Sequence, residues 1–117
     1  MKKAYILLLH GSRRPKEGEI EGIVKTLPEA QQSSVHVAYL ELQKPSMAES
    51  FALCAENVDE VHVLPLFVLE GRHVREDIPE ISQEMREKYP ELNIVVHDHL
   101  GQWDLFSEML NTMMTRL

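Results

Sequence analysis

Short apolar runs alternate with helical patterns along the whole chain, and this alternation constrains the fold more than any other feature. After each run, apolar residues recur at the i, i+3, i+4 spacing of an amphipathic helix. Strands that alternate with helices form a parallel sheet with helices on both faces. We therefore predict one α/β domain over residues 1–117. The predicted strands cover residues 3–9, 35–42, 60–68 and 93–97.

The order of these four strands follows from the handedness of their connections. Right-handed crossovers leave few topologies, and the commonest small one has the order 2-1-3-4, a flavodoxin-like half-lobe. Strands one and three are then neighbours where the winding reverses, and open α/β sheets bind ligands at the carboxyl ends of such strands. His10 and His73, which follow strands one and three, are expected to project into that crevice.

Two details of the pattern carry further expectations. Pro65 falls inside the third strand, where it cannot donate to the ladder, so the strand should bend or lose a pairing there. A last helix begins near Trp103, and its apolar residues repeat at helical spacing. We expect that stripe to face the core. Its members are Phe106, Met109, Leu110, Met113 and Leu117.

Length, charge and cysteine content exclude several classes of protein. A chain of 117 residues with 44% hydrophobic content is large enough for one packed domain. A net charge of −7 argues against nucleic acid as a partner, and no apolar run approaches the roughly 20 residues of a membrane span. The single cysteine, Cys54, cannot form an internal disulfide, which fits the cytoplasm, and its apolar surroundings indicate a core residue.

The basic residues are concentrated in the turns that follow the predicted strands. Six of the twelve lysines and arginines lie there, so positive charge gathers at one edge of an acidic protein. Such an edge suits an anionic small molecule. The alternative is that these loops are simply polar. The six residues are Arg13, Arg14, Lys16, Lys44, Arg72 and Arg75.

The two histidines at this edge are candidates for metal binding and proton transfer. Neutral imidazole is a common ligand for Co, Ni, Fe and Zn ions and can accept a proton near neutral pH. Glu41, near the end of strand two, could be a third donor, or it could be an ordinary solvated carboxylate. His97 and His99 have the spacing of a metal pair, although a structural role is the simpler interpretation.

Several motifs, in the same order along nearly the whole chain, resemble those of the short-form sirohydrochlorin metal chelatases of the CbiX type. The most specific is the combination of His10-Gly11-Ser12-Arg13 with the Gly-x-His-x-x-x-Asp-Ile-Pro pattern of residues 71–79. Leu100-Gly101 also matches, but the His-Pro that follows it in the family is Gln102-Trp103 here. The remaining matches are Tyr39-Leu40-Glu41, Pro45-Ser46 and Leu64-Pro65-Leu66-Phe67.

The resemblance implies an enzyme that inserts a divalent metal into sirohydrochlorin, a tetrapyrrole with eight carboxylates, without ATP. The metal is a substrate, with Co2+ expected first and Ni2+ or Fe2+ as alternatives, and no organic cofactor is implied. His10 would be a metal ligand and proton acceptor, and His73 a second ligand. Short members work as homodimers with the cleft between subunits. The residues expected to contact the macrocycle are Ser12, Arg13, Lys44, Val68, Leu69, Glu70, Gly71 and Arg72.

Two other functions use the same residues. A non-catalytic carrier of metal or tetrapyrrole would need the same ligands without turnover. A small phosphatase or hydrolase could take its nucleophile from His10-Gly11-Ser12. No arginine precedes His10 as in histidine phosphatases, however, and no Gly-x-Ser-x-Gly elbow is present.

Overall fold

A computed structural model, which describes residues 2–117, contains a four-stranded parallel sheet in the order β2-β1-β3-β4. The predicted α/β class and strand order are therefore confirmed. The strands are β1 (Lys3–Leu9), β2 (Val35–Tyr39), β3 (Glu60–Pro65) and β4 (Asn93–Val96). The helices are α1 (Glu19–Val24), α2 (Glu29–Gln32), α3 (Met47–Cys54), α4 (Arg72–Lys88) and α5 (Asp104–Arg116). Short 3-10 turns cover Ala55–Asn57 and Leu100–Gln102.

Pro65 ends the third strand, three residues before the predicted end. It pairs with Leu8 as the last residue of the β1–β3 ladder, and the N–H of Leu66 then donates to the Leu8 carbonyl at 2.9 Å. Because proline has no N–H to continue the ladder, the expected loss of pairing occurs here. The next residues are free to form the loop that leads to α4.

One face of the sheet carries the hydrophobic core. Alternate side chains of β1 and β3 point to this face, and α3 packs against β1 and β2 while α4 packs against β4. Ser46 begins α3 with a capping box that it forms with Glu49. The largest fully buried apolar side chains are Ile6, Leu8, Phe51, Val61, Val63 and Pro65.

The opposite face, which we call the second sheet face, is covered only in part. Leu7 is buried, but its neighbours on this face are all half-buried, and the short helix α1 contributes a single buried side chain, Ile20. This face therefore lacks the helical layer that α3 and α4 provide on the other side. Its half-buried members are Tyr5, Leu9, Val35, Val37, Tyr39, His62, Leu64, Val95 and His97.

The expectation that the last helix faces the core is wrong. No residue of α5 is buried, and Met113 on the predicted inward stripe is 54% exposed. The start of the helix is held by Trp103, whose indole N–H donates to the Asp98 carbonyl at 2.7 Å, and the helix has its main contact with the turn that precedes it. Helical spacing predicted an amphipathic helix correctly, but it carries no information about which surface that helix packs on.

Candidate active site

The loop after β1 is fixed by a close contact with the loop after β2. The N–H of Glu41 donates to the carbonyl of His10 at 3.1 Å. Gly11 has a φ of +103°, and a Cβ atom there would lie 1.8 Å from the carbonyl oxygen of Glu41. Only glycine allows this combination of backbone angle and approach. The local sequence therefore brings His10 beside Glu41.

The side chains of His10 and Glu41 form a pair at the carboxyl edge of the sheet. His10 Nε2 lies 3.4 Å from Glu41 Oε1, and each side chain is nearly half exposed. The His10 ring is oriented edge-on to Phe67, with a distance of 6.5 Å between ring centroids. An imidazole nitrogen and a carboxylate oxygen, both reachable from solvent, can bind a transition metal or exchange a proton.

His73 lies in the first turn of α4, which begins at Arg72. Its Nε2 lies 2.9 Å from Asp77 Oδ2, and the imidazole is 67% exposed. Asp77 was not among the predicted site residues, although its i+4 spacing from His73 on a helix could have identified the pair.

The described residues, 2–117, contain no group of three or more His, Cys, Asp or Glu side chains that could hold a metal ion. The predicted donors His10 and Glu41 instead form one pair, and the predicted donor His73 forms a second pair with Asp77. Each pair supplies one nitrogen and one oxygen donor. A complete coordination shell would need ligands from elsewhere, such as the nitrogens of a substrate.

The loop between β3 and α4 combines exposed apolar side chains with a half-buried carboxylate, that of Glu70. Val68 and Leu69 are exposed, Leu69 to 86%. Glu70 is turned inward, with its carboxylate 3.5 Å from His99 Nδ1 and 4.0 Å from Arg75 Nε. Glu70 is thus placed to hold the loop, whereas Val68 and Leu69 are free to contact a ligand.

Gly101 explains why the Leu-Gly motif near the end of the chain belongs to the site. Its N–H donates to the carbonyl of Phe67 at 3.1 Å. A Cβ atom on residue 101 would lie 1.8 Å from the carbonyl oxygen of Val68. The glycine allows the turn after β4 to pack directly on the loop that precedes His73.

The predicted cationic residues lie in these same loops. Arg13 and Lys44 are exposed and form no ion pair within residues 2–117, whereas Arg72 contacts Glu76, with 3.3 Å between Nε and Oε1. Ser12 is fixed by its N–H, which donates to Gln43 Oε1 at 2.8 Å. Charged groups at the carboxyl edge of the sheet, which we call the rim, are therefore available to a polyanionic ligand.

A cleft of about 800 Å³ lies beside this rim, between α1 and the second sheet face. Ser12 and Lys44 line it together with the apolar side chains of Ile20 and Tyr39. Neither His10 nor His73 lines it. The cleft and the two donor pairs are thus adjacent features connected by the loop that contains Ser12.

Three other histidines and the cysteine are engaged in contacts within the fold and do not join the two donor pairs. His97 Nε2 lies 2.8 Å from His62 Nδ1, with the rings stacked, whereas His99 contacts Glu70, so His97 and His99 do not act as a metal pair. Cys54 is 5% exposed, and burial raises the pKa of its thiol. A thiol in this environment is a core side chain and a poor nucleophile.

A sequence model of the CbiX family matches residues 4–117. The chain belongs to the CbiX family. The sirohydrochlorin cobaltochelatase of Priestia megaterium is 30% identical over 98% of this chain and 37% of its own length. The chloroplastic sirohydrochlorin ferrochelatase of Arabidopsis thaliana is 30% identical over 91% of this chain and 48% of its own length. The sirohydrochlorin cobaltochelatase of Saccharolobus solfataricus is 30% identical over 90% of this chain and 88% of its own length.

Solved structures of chelatases have the same fold. The sirohydrochlorin chelatase SirB from Bacillus subtilis subspecies spizizenii, in complex with cobalt, superposes with a TM-score of 0.76 and 25% identity over 100% of this chain and 51% of SirB. SirB from Bacillus subtilis with Fe3+ gives the same TM-score and identity over 99% of this chain and 47% of that protein. This CbiX-family chain thus spans about half the length of these structures and less than half of the Priestia and Arabidopsis relatives.

No helix within residues 2–117 combines the length and the apolar character that crossing a membrane requires.

Proposed function

We propose that this CbiX-family chain inserts a divalent metal into sirohydrochlorin without ATP. The observation that carries the proposal is the exposed pair of His10 and Glu41, with 3.4 Å between Nε2 and Oε1, at the carboxyl edge of β1 and beside exposed basic residues. The names of the relatives, which include cobaltochelatases and ferrochelatases of sirohydrochlorin, support it.

The chemistry requires a base and a weak metal site at the same place. Two pyrrole protons must leave the ring as the metal enters, so a proton acceptor must lie close to the ring centre. Neutral His10 can hold the metal through Nε2 and, once the metal has passed to the ring, accept one pyrrole proton at that nitrogen, and the adjacent Glu41 carboxylate stabilises the imidazolium that forms. The second proton leaves to the solvent that reaches this exposed pair. His73, with Asp77 beside it, supplies the second nitrogen ligand. Two incomplete donor pairs bind metal weakly, which favours its transfer to four pyrrole nitrogens.

The rim offers charge for the carboxylates of the substrate and apolar surface for its ring. Arg13, Lys44 and Arg72 are exposed cations, and guanidinium and ammonium groups form strong hydrogen bonds with carboxylates. Val68 and Leu69 present apolar side chains to the macrocycle. In this proposal Ser12 and Gly71 line the site through their backbone, and Glu70 acts through its contacts with His99 and Arg75.

Co2+ is the metal we propose first, with Ni2+ or Fe2+ as alternatives and with no organic cofactor. Imidazole and carboxylate ligands accept all three ions, so selectivity depends more on metal supply than on these donors. The product would serve cobalamin or sirohaem biosynthesis in the cytoplasm. We further propose that residues 1–117 form a single catalytic domain and that two copies pair as a homodimer, since about half of SirB matches one copy.

A spectrophotometric assay with sirohydrochlorin and Co2+, Ni2+ or Fe2+ tests the proposal. We expect a change in absorbance at a rate proportional to enzyme concentration. His10→Ala and His73→Ala should each lower that rate by about 100-fold, the range expected for loss of a general base. His36→Gln, a change outside the site, is the matched control. A spectral change that stops at one equivalent would indicate a carrier, and normal turnover in His10→Ala would refute the role of that residue.

A further inference from the structure

Glu70 places a negative charge in a segment that the proposed function assigns to a polyanionic substrate. The segment covers residues 68–72, and its other members are two exposed apolar residues, a glycine and Arg72. A carboxylate that faced outward beside Leu69 would repel the eight carboxylates of sirohydrochlorin. The orientation of the Glu70 side chain therefore affects how strongly the rim attracts its ligand.

The fold turns this carboxylate away from the exposed side of the loop. The Glu70 side chain is 22% exposed, whereas its neighbour Leu69 is 86% exposed. Glu70 Oε2 lies 3.5 Å from Nδ1 of His99, whose own side chain is 15% exposed, and Glu70 Oε1 lies 4.0 Å from Arg75 Nε. Among residues 2–117, His99 and Arg75 are the basic side chains within 4.0 Å of this carboxylate.

Of these two partners, His99 is the one that the fold holds in place. It lies in the turn after β4, where the N–H of Gly101 donates to the Phe67 carbonyl at 3.1 Å and so ties the turn to the loop that carries Glu70. The Arg75 side chain is 66% exposed, and a substrate carboxylate would compete with Glu70 for its guanidinium. His99 is therefore the partner that Glu70 keeps when a polyanionic ligand arrives.

We infer that His99 keeps the carboxylate of Glu70 away from the substrate and thereby sets the charge that the rim presents. His99 is a positioning residue, because it acts on the ligand through Glu70. The inference rests on the proposed function, since it requires a polyanionic ligand at this rim. An imidazole 3.5 Å away stabilises the half-buried carboxylate. Without that imidazole, the carboxylate gains solvation by turning outward, where it offsets one of the exposed cations of the rim.

Binding of metal-free sirohydrochlorin, followed by its absorbance, tests the inference without turnover. His99→Phe keeps a ring of similar size but removes the nitrogen, and it should raise the dissociation constant about fivefold, the effect of one exposed like charge near a carboxylate. His99→Gln keeps an N–H donor and should bind within about twofold of the native chain. Gln102→Ala, an exposed change in the same turn, is the control. Circular dichroism at the binding temperature shows whether each variant is folded.

A second substitution separates the charge of Glu70 from the position of its loop. If His99→Phe weakens binding by exposing a charge, the addition of Glu70→Gln should restore native affinity, because the double variant has no charge to expose. Raising the ionic strength from about 0.05 M to about 0.5 M should reduce the difference between His99→Phe and the native chain, since salt screens the repulsion. In the insertion assay, His99→Phe should raise KM and leave kcat within about twofold, because His10 and His73 are unchanged.

Two results would overturn the inference while the proposed function stands. Equal affinity of His99→Phe and the native chain would show that His99 does not control the charge of the rim. Equally weak binding by His99→Phe and by the double variant with Glu70→Gln would show that the position of the loop matters and that the charge does not. If the native chain failed to bind sirohydrochlorin at all, the proposed function would be refuted and the inference with it.

Discussion

Gly11 passes so close to Glu41 that a Cβ atom on residue 11 would lie 1.8 Å from the Glu41 carbonyl oxygen. The contact is between two backbone segments, so neither can move aside as a flexible side chain would. It joins the loop that carries His10 to the loop that carries Glu41. The arrangement of the site therefore depends on a residue with no side chain.

We expect Gly11→Ala to lower the free energy of unfolding by at least about 2 kcal/mol, because it adds a clash to an unfavourable positive φ. Urea denaturation followed by circular dichroism measures this value. Gly22→Ala in α1 is the control, since a Cβ atom there meets nothing within 4 Å, and it should be neutral or stabilising by up to about 1 kcal/mol. Equal stabilities of the two variants would contradict the close contact.

Replacement of Arg72 should affect substrate binding and not folding. Its contact with Glu76 is largely exposed, and such pairs contribute about 0–1 kcal/mol to stability. Arg72→Ala should therefore raise KM for sirohydrochlorin with little change in melting temperature. Glu76→Ala removes the same ion pair but keeps the cation, and it should leave KM the same or lower. If both variants raised KM equally, the loss of the ion pair, and not the loss of the cation, would explain the weaker substrate binding.

Ser46→Ala removes the cap of α3 and should lower the free energy of unfolding by about 1 kcal/mol at pH 7. Ser46 Oγ accepts the N–H of Glu49 at 3.1 Å, and the Ser46 N–H donates to the Glu49 carboxylate at 3.0 Å. Denaturation in urea measures the change. Ser33→Ala, at an exposed position after α2, should have almost no effect. A similar loss in both variants would show that the cap is not the cause.

His36 should make the fold sensitive to mild acid. Burial lowers the pKa of His36 below its ordinary value of about 6.5. As the pH falls through that value, the unfolded chain takes up a proton before the folded chain does, so the free energy of unfolding decreases. His36→Gln should lose less stability than the native protein between pH 7.5 and about 5.5. Urea denaturation at both pH values measures this difference, and parallel pH profiles would contradict it.

The elements of the sheet could be predicted because apolar periodicity and proline positions act locally. The loss of pairing at Pro65 follows from the residue itself, which has no N–H. The strand order follows from the handedness of crossovers between parallel strands, which holds whatever the side chains are.

The surroundings of the site could not be predicted in the same way. The pairing of His10 with Glu41 depends on how two loops cross, and the inward turn of Glu70 depends on His99, 29 residues further along the chain. The exposed position of α5 could not be predicted for the same reason, because it too depends on contacts that lie outside the local sequence. An apolar stripe such as Met109 and Met113 predicts that something covers it, but the covering surface need not belong to the same subunit.

The 2.8 Å contact between His62 and His97 has a consequence for which ring nitrogen holds each hydrogen. Within residues 2–117 no group forms a hydrogen bond with His62 Nε2, which lies 3.6 Å from the carboxylate of Glu60, and that carboxylate favours a hydrogen on this nitrogen. His62 Nδ1 must then be the acceptor, so His97 Nε2 is the donor. A carboxylate at the start of β3 thereby selects the tautomer of a histidine that directly follows the neighbouring strand, β4.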